Sequence, residues 1–111
     1  MIDIREYVKP DGLGPFSDWF DRLNSEAARR VTTALYRLGF GNFSNVKGVG
    51  GGVFEYRIDF GPGYRVYFGK DVERLVILLC GGSKLRQQND IELAKERWLE
   101  YKRQKRSESW R

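Results

Sequence analysis

The chain has 111 residues, 41% hydrophobic and 14% aromatic, enough for one ordinary domain whose core needs no covalent staples. Its single cysteine, Cys80, excludes an internal disulfide, and the lack of histidine removes the usual acid–base group near neutral pH and the commonest metal ligand. Lys and Arg number 20 against 15 Asp and Glu, a net charge of +5 that favours anionic partners or simply keeps a small protein soluble.

Residues 2–8 alternate as Ile2, Ile4 and Val8 against Asp3, Arg5 and Tyr7, which predicts a first strand, with Glu6 intruding on its apolar side. A glycine-rich turn spans Pro10 to Pro15, and Pro15 suits the first position of a helix. Phe16, Trp19, Phe20 and Leu23 then share one helical face. Ser25 is the expected cap of a second helix lined by Ala28, Val31, Ala34, Leu35 and Leu38, ending near Gly39 and Gly41. Arg22, Arg29, Arg30 and Arg37 fall on the solvent side of this helical hairpin. Residues 42–52 read as a loop, and Gly50-Gly51-Gly52 as a flexible entry into a strand rather than a phosphate cradle, because no helix follows.

The most informative segment is EYRIDFGPGYRVYF, Glu55 to Phe68. It predicts two strands, about 53–60 and 63–69, joined at Gly-Pro-Gly. Strand side chains alternate between faces. With Tyr56, Ile58, Val66 and Phe68 toward the core, Glu55, Arg57, Arg65 and Tyr67 gather on the opposite face. Two guanidinium groups, a carboxylate and a phenol on a rigid sheet point to a phosphodiester site. The bland alternative is a solvated face on which Arg65 pairs with Glu55 or Asp59.

A polar hairpin at 70–74 leads into Leu75 to Leu79, an apolar run expected to be buried on both faces and stopped by Gly81-Gly82. Lys84 to Gln88 reads as a connector. Asn89 and Glu92 have the spacing of a capping box, and Ile91, Ala94, Trp98 and Tyr101 mark one face of a last helix. The end, KRQKRSESWR, is basic and lacks an apolar stripe; a frayed tail is expected over 103–111. No apolar run is long enough to cross a bilayer, and the start MIDIREYVK is too charged for an export signal, so a cytoplasmic location and no membrane partner are expected. The expected architecture is α+β: a four-stranded, mostly antiparallel sheet with the helical hairpin on one face, the other face open for function, and a C-terminal helix.

The stretch from Gly52 to Arg97 resembles the RelE/ParE superfamily of toxins from bacterial toxin–antitoxin modules, and within it the phage-derived, HigB-like branch of addiction module killer proteins. The resemblance is carried by Arg57-Ile58-Asp59, by Gly63-Tyr64-Arg65-Val66-Tyr67-Phe68, and by Gly82-Ser83-Lys84 followed by Gln87-Gln88 and Ala94-Lys95. It extends over about residues 1–102. It implies a RelE-like fold and an endoribonuclease that cuts mRNA in the ribosomal A site without metal or cofactor. It also implies a neighbouring helix-turn-helix antitoxin that neutralises the toxin and carries any contact with operator DNA. Carried over by the resemblance, Arg65 matches the phosphate-binding arginine of a Tyr-Arg strand motif. Arg57 matches a basic position on the adjoining strand. Lys84 and Arg86 fall where relatives place further basic groups.

RNA can be cut by its own 2′-OH, given in-line geometry, charge stabilisation at phosphorus and handling of two protons. Arg65 and Arg57 are the expected phosphate groups, with Tyr67 or Lys84 in proton transfer. Glu55 is a further candidate base, although two nearby arginines would lower its proton affinity. Lys47, Glu55, Arg86 and Gln87 complete the expected RNA-binding set. Histidine-based versions of the chemistry are excluded, and Cys80 has no histidine to activate it. The same resemblance allows a ParE-like inhibitor of DNA gyrase that cuts nothing, and the charge alone allows a non-catalytic nucleic-acid-binding protein.

Overall fold

The computed structural model describes residues 1–109. In chain order it contains β1 (Asp3–Glu6), α1 (Pro15–Asp21), α2 (Ser25–Gly39), β2 (Val46–Gly50), β3 (Val53–Ile58), β4 (Tyr64–Val72), β5 (Leu75–Ser83), a 3₁₀ turn (Lys84–Arg86) and α3 (Gln87–Ser109). The five strands form one sheet in the order β1-β5-β4-β3-β2. β2 through β5 are a continuous antiparallel meander, and β1 returns to pair parallel with β5. The class is α+β as expected, but the sheet has five strands instead of four. The strand absent from the sequence reading is β2, VKGVG, whose glycines hide the alternation that marks a strand. Gly50, Gly51 and Gly52 all have positive φ and form the turn between β2 and β3, a backbone that other residues rarely adopt.

Alternation divides the core in two. Tyr56, Ile58, Val66, Phe68, Val76 and Leu78 face α1 and α2, where they meet Phe16, Val31, Ala34 and Leu38. Val53, Tyr67, Ile77, Leu79 and Cys80 face the other way and meet Ile91, Ala94 and Trp98 of α3. The second face is therefore covered along much of its length. This corrects the expectation that all helices pack on one side and leave the other open. The physical reason lies in the apolar run of β5. Residues 76–80 are buried on both sides of the sheet, so a second layer is required.

Two helix starts also differ from expectation. Asn24, not Ser25, caps α2; its Oδ1 accepts from Ala27 N at 2.9 Å. α3 begins at Gln87, directly after the 3₁₀ turn, so Asn89 lies inside the helix and caps nothing. Glu6, the intruder on β1, has a task at the start of α1: its carboxylate accepts from Ser17 N at 3.3 Å and Ser17 Oγ at 2.5 Å. α3 continues to Ser109, through most of the segment read as a basic tail; Trp110 and Arg111 lie outside the described residues. Asp71 on the β4–β5 hairpin holds α3 in place, accepting from Tyr101 Oη at 2.7 Å and pairing with Lys105. Among the described residues no helix is long and apolar enough to cross a membrane.

Candidate functional site

The antiparallel register of β3 and β4 sets Arg57 directly opposite Arg65, and Glu55 opposite Tyr67. Each of these two rows extends to a further strand: Lys47 of β2 faces Glu55 in one, and Gly82 of β5 faces Arg65 in the other. The expected four therefore do share a sheet face. They do not form one exposed patch, because α3 closes over half of it. The side chain of Glu55 is 2% exposed and that of Arg65 9%, while that of Arg57 is 54% exposed. Tyr67 is fully buried.

Glu55 is the hub of the covered half. Its Oε1 accepts from Gln87 Nε2 at 2.7 Å and, at a longer 3.4 Å, from the Tyr67 hydroxyl. Arg65 Nε lies 3.5 Å from Oε1, and Lys47 Nζ 3.7 Å from Oε2. A buried carboxylate is tolerated only when paired and hydrogen-bonded, and here it has both. Burial, with the Glu55 charge next in weight, pushes the Tyr67 phenol well above its ordinary range. Tyr67 and Glu55 are thus sealed and committed to each other, which takes both out of direct contact with a substrate. Glu55 instead lies behind Arg65 as an ion-pair partner, while the buried Arg65 Nε makes no hydrogen bond among the described residues.

The open half is a shallow cavity of about 390 Å³ beside the Gly61-Pro62-Gly63 turn. Arg57, Arg65 and Lys84 line it. The turn is closed by Gly63 N donating to Phe60 O at 2.9 Å, and Lys84 N donates to Gly63 O at 3.0 Å, so β5's end is tied to the β3–β4 turn. Gly63 has φ 84°, and a Cβ there would stand 3.6 Å from Arg65 Nη1, at the mouth of the cavity. Arg65 Nη1 also donates to Tyr64 O at 3.5 Å, a weak bond that a better acceptor would displace. Three cations on three elements, one of them ion-paired from behind to Glu55 at 3.5 Å, make a fork suited to the nonbridging oxygens of a phosphodiester.

The remaining expected residues lie elsewhere. Lys47 and Gln87 serve Glu55, as above. Arg86 lines a different and larger cavity, between α1 and the start of α3. Cys80 is buried, its thiol raised to about 12 by desolvation, and donates weakly to Asp90 O at 3.8 Å, so it is an inert packing residue. Sequence reasoning missed Asp90, which is buried over Gly82 in the same cross-strand row as Arg57 and Arg65. The signal available was Gly81-Gly82, read only as a strand stop.

A family model described as "Phage derived protein Gp49-like (DUF891)" matches residues 18–99. That span runs from α1 into α3 and includes both cross-strand rows. An uncharacterized protein of Haemophilus influenzae is 48% identical over 81 residues, covering 72% of this chain and 82% of that protein.

Proposed function

The chain belongs to the phage-derived Gp49-like family, and from that premise we propose that it is the toxin of a toxin–antitoxin pair, a RelE-type, HigB-like ribonuclease acting on mRNA at the ribosome. The observation that carries this reading is the convergence of Arg57, Arg65 and Lys84 on one cavity. In the proposed reaction the 2′-oxygen forms a bond to phosphorus as the bond to the 5′-oxygen breaks. The products are a 2′,3′-cyclic phosphate and a 5′-hydroxyl. Arg65, ion-paired with Glu55, and Arg57 bind the nonbridging oxygens as their charge rises. Lys84, exposed at the rim, donates its ammonium proton to the leaving 5′-oxygen, and the 2′-proton passes to water. Tyr67 and Glu55 act behind the site as positioning residues. The ribosome supplies the alignment of the RNA, a contribution worth orders of magnitude in rate.

The cognate partner in this reading is a helix-turn-helix antitoxin that covers the cavity, the pair acting in the cytoplasm. The test is a purified translation reaction with mapping of message ends. New ends that appear with the wild-type protein and vanish with a folded Arg65→Ala variant are expected. Intact message with linearised plasmid in a gyrase reaction would replace this reading with gyrase inhibition.

A further inference from the structure

β1 pairs with β5 only as far as Leu78, opposite Glu6, so among the described residues the β5 edge from Leu79 to Ser83 has no strand beside it on that side. Along that free edge lies a cavity of about 560 Å³, within the range of small-ligand sites. Trp19 and Tyr64 give it aromatic walls, their rings edge to face at 6.3 Å. Arg86, Arg97 and Lys9 give it positive charge, while its Arg22 is paired with Asp18 of the same lining at 3.1 Å.

Its unusual member is Asp90. The residue is 8% exposed, and its Oδ2, closed off against Gly82, has no hydrogen-bond partner among the described residues, so a ligand group reaches it only if the carboxylate swings away from the strand. Leaving a buried acceptor unmade is costly, and such a group calls for an explanation. The strand itself makes the seat for the carboxylate. A Cβ on Gly82 would fall 1.9 Å from Oδ2, and a Cβ on Gly81 would fall 2.2 Å from the Trp19 ring. The two glycines on opposite faces of β5 make room for the two groups the cavity uses.

The lining selects among ligands. A free phosphate has no use for an aromatic wall and is repelled by Asp90. An acidic peptide would meet the same repulsion. A nucleotide uses every feature: a ring for Trp19 and Tyr64, a phosphate for the arginines, and a polar edge for the carboxylate. Position agrees. Arg57, Arg65 and Gly82 form one row on three adjacent strands, which are about 5 Å apart, so Asp90 sits roughly a nucleotide's reach from the phosphate cavity.

We propose that this cavity is a nucleobase subsite for the residue next to the bound phosphate, and that Asp90 selects a base presenting an exocyclic amine. This rests on the RNA reading above. Cytosine offers an N4 amine where uracil offers an O4 acceptor, which a carboxylate disfavours. The two bases stack with similar strength, so the comparison isolates Asp90.

The experiment measures binding of fluorescent 2′-O-methyl tetranucleotides, which cannot be cut, to the full chain. C4 is expected to bind about tenfold more tightly than U4. Asp90→Asn, which removes a buried charge and retains shape, is expected to fold and to bring the two within about threefold, because an amide also donates to O4. Equal binding of C4 and U4 by the wild type, no binding of either, or an unchanged ratio in Asp90→Asn overturns the subsite. The parent reading is scored separately: Arg65→Ala that still cuts message like the wild type sinks the RNA reading. A silent Asp90→Asn beside an inactive Arg65→Ala sinks the subsite alone.

Discussion

Replacing Glu55 by Gln keeps shape and one acceptor oxygen but removes the charge that faces Arg65 and Lys47. At the observed 3.5 Å, two unit charges in an effective dielectric of about 20 attract by about 5 kcal/mol, an upper bound before desolvation is counted. Lys47 is mostly exposed at 3.7 Å, and its share is screened to about 1 kcal/mol or less. Breaking a buried pair by removing one partner costs about 3–5 kcal/mol, because the other charge is stranded. Arg65 opens at one end to the cavity and recovers some hydration there, so a loss of about 2–3 kcal/mol is expected. For a chain of this size that lowers Tm by about 10 °C or more. Urea denaturation followed by tryptophan fluorescence measures it. The decisive form is a double-mutant cycle with Arg65→Met. Glu55→Gln should cost far less when the guanidinium is already gone, giving a coupling of about 2 kcal/mol. A coupling below about 0.5 kcal/mol would show that Glu55 does not hold Arg65, and the division into a buried support and an open site would fail.

Three further outcomes follow from the same geometry. Lys84→Ala should slow message cleavage by about 100-fold or more, whereas Tyr67→Phe should change it less than about tenfold, since the proposed reaction gives the leaving group's proton to the exposed Lys84 and keeps the buried Tyr67 behind the site; the reverse order in single-turnover assays would return the proton to the phenol. Gly69→Ala would place a Cβ 2.4 Å from Trp98 Cε3 and should destabilise by about 1–3 kcal/mol in urea denaturation, through displacement of the ring on which α3 packs. Burial raises the Asp90 carboxyl, against the opposing charges of Arg86 and Arg97, so the folded chain binds a proton more tightly than the unfolded one. Its contribution to stability is therefore full at low pH and is lost as pH rises from the unfolded carboxyl's range through the raised folded one. Asp90→Asn should remove that fall and stabilise the chain at pH 7 by urea denaturation; a less stable variant with unchanged pH dependence would contradict it.

The hairpin from Glu55 to Phe68 was legible because strict alternation, with Gly-Pro-Gly between, fixes which side chains share a face. That Arg57 and Arg65 stand together followed from the pleat. Exposure did not, because it depends on what lies above the sheet. The stripe Ile91, Ala94, Trp98 and Tyr101 marks an apolar helix face without saying which surface it covers. The continuous apolar run of β5 held that answer, since a strand buried on both sides needs a second layer. β2 escaped notice because a short edge strand with two glycines has few of the residues that mark strands. The role of Glu55 was hidden for a related reason: its partners Lys47, Arg65 and Gln87 come from three separate elements, and only the register of the sheet and the seating of α3 bring them to one carboxylate. Asp90 and Trp19 depend on Gly82 and Gly81 in the same way, through close approaches that no local pattern encodes.

In the proposed chemistry Arg57, Arg65 and Lys84 grip a single phosphate. Side-chain nitrogen NMR of these three groups, during titration with a 2′-O-methyl dinucleotide, reads that grip directly. All three signals should shift and saturate at one common concentration. Shifts confined to Arg29, Arg30 and Arg37 on α2, with the three silent, would place the nucleic acid on another face and contradict it.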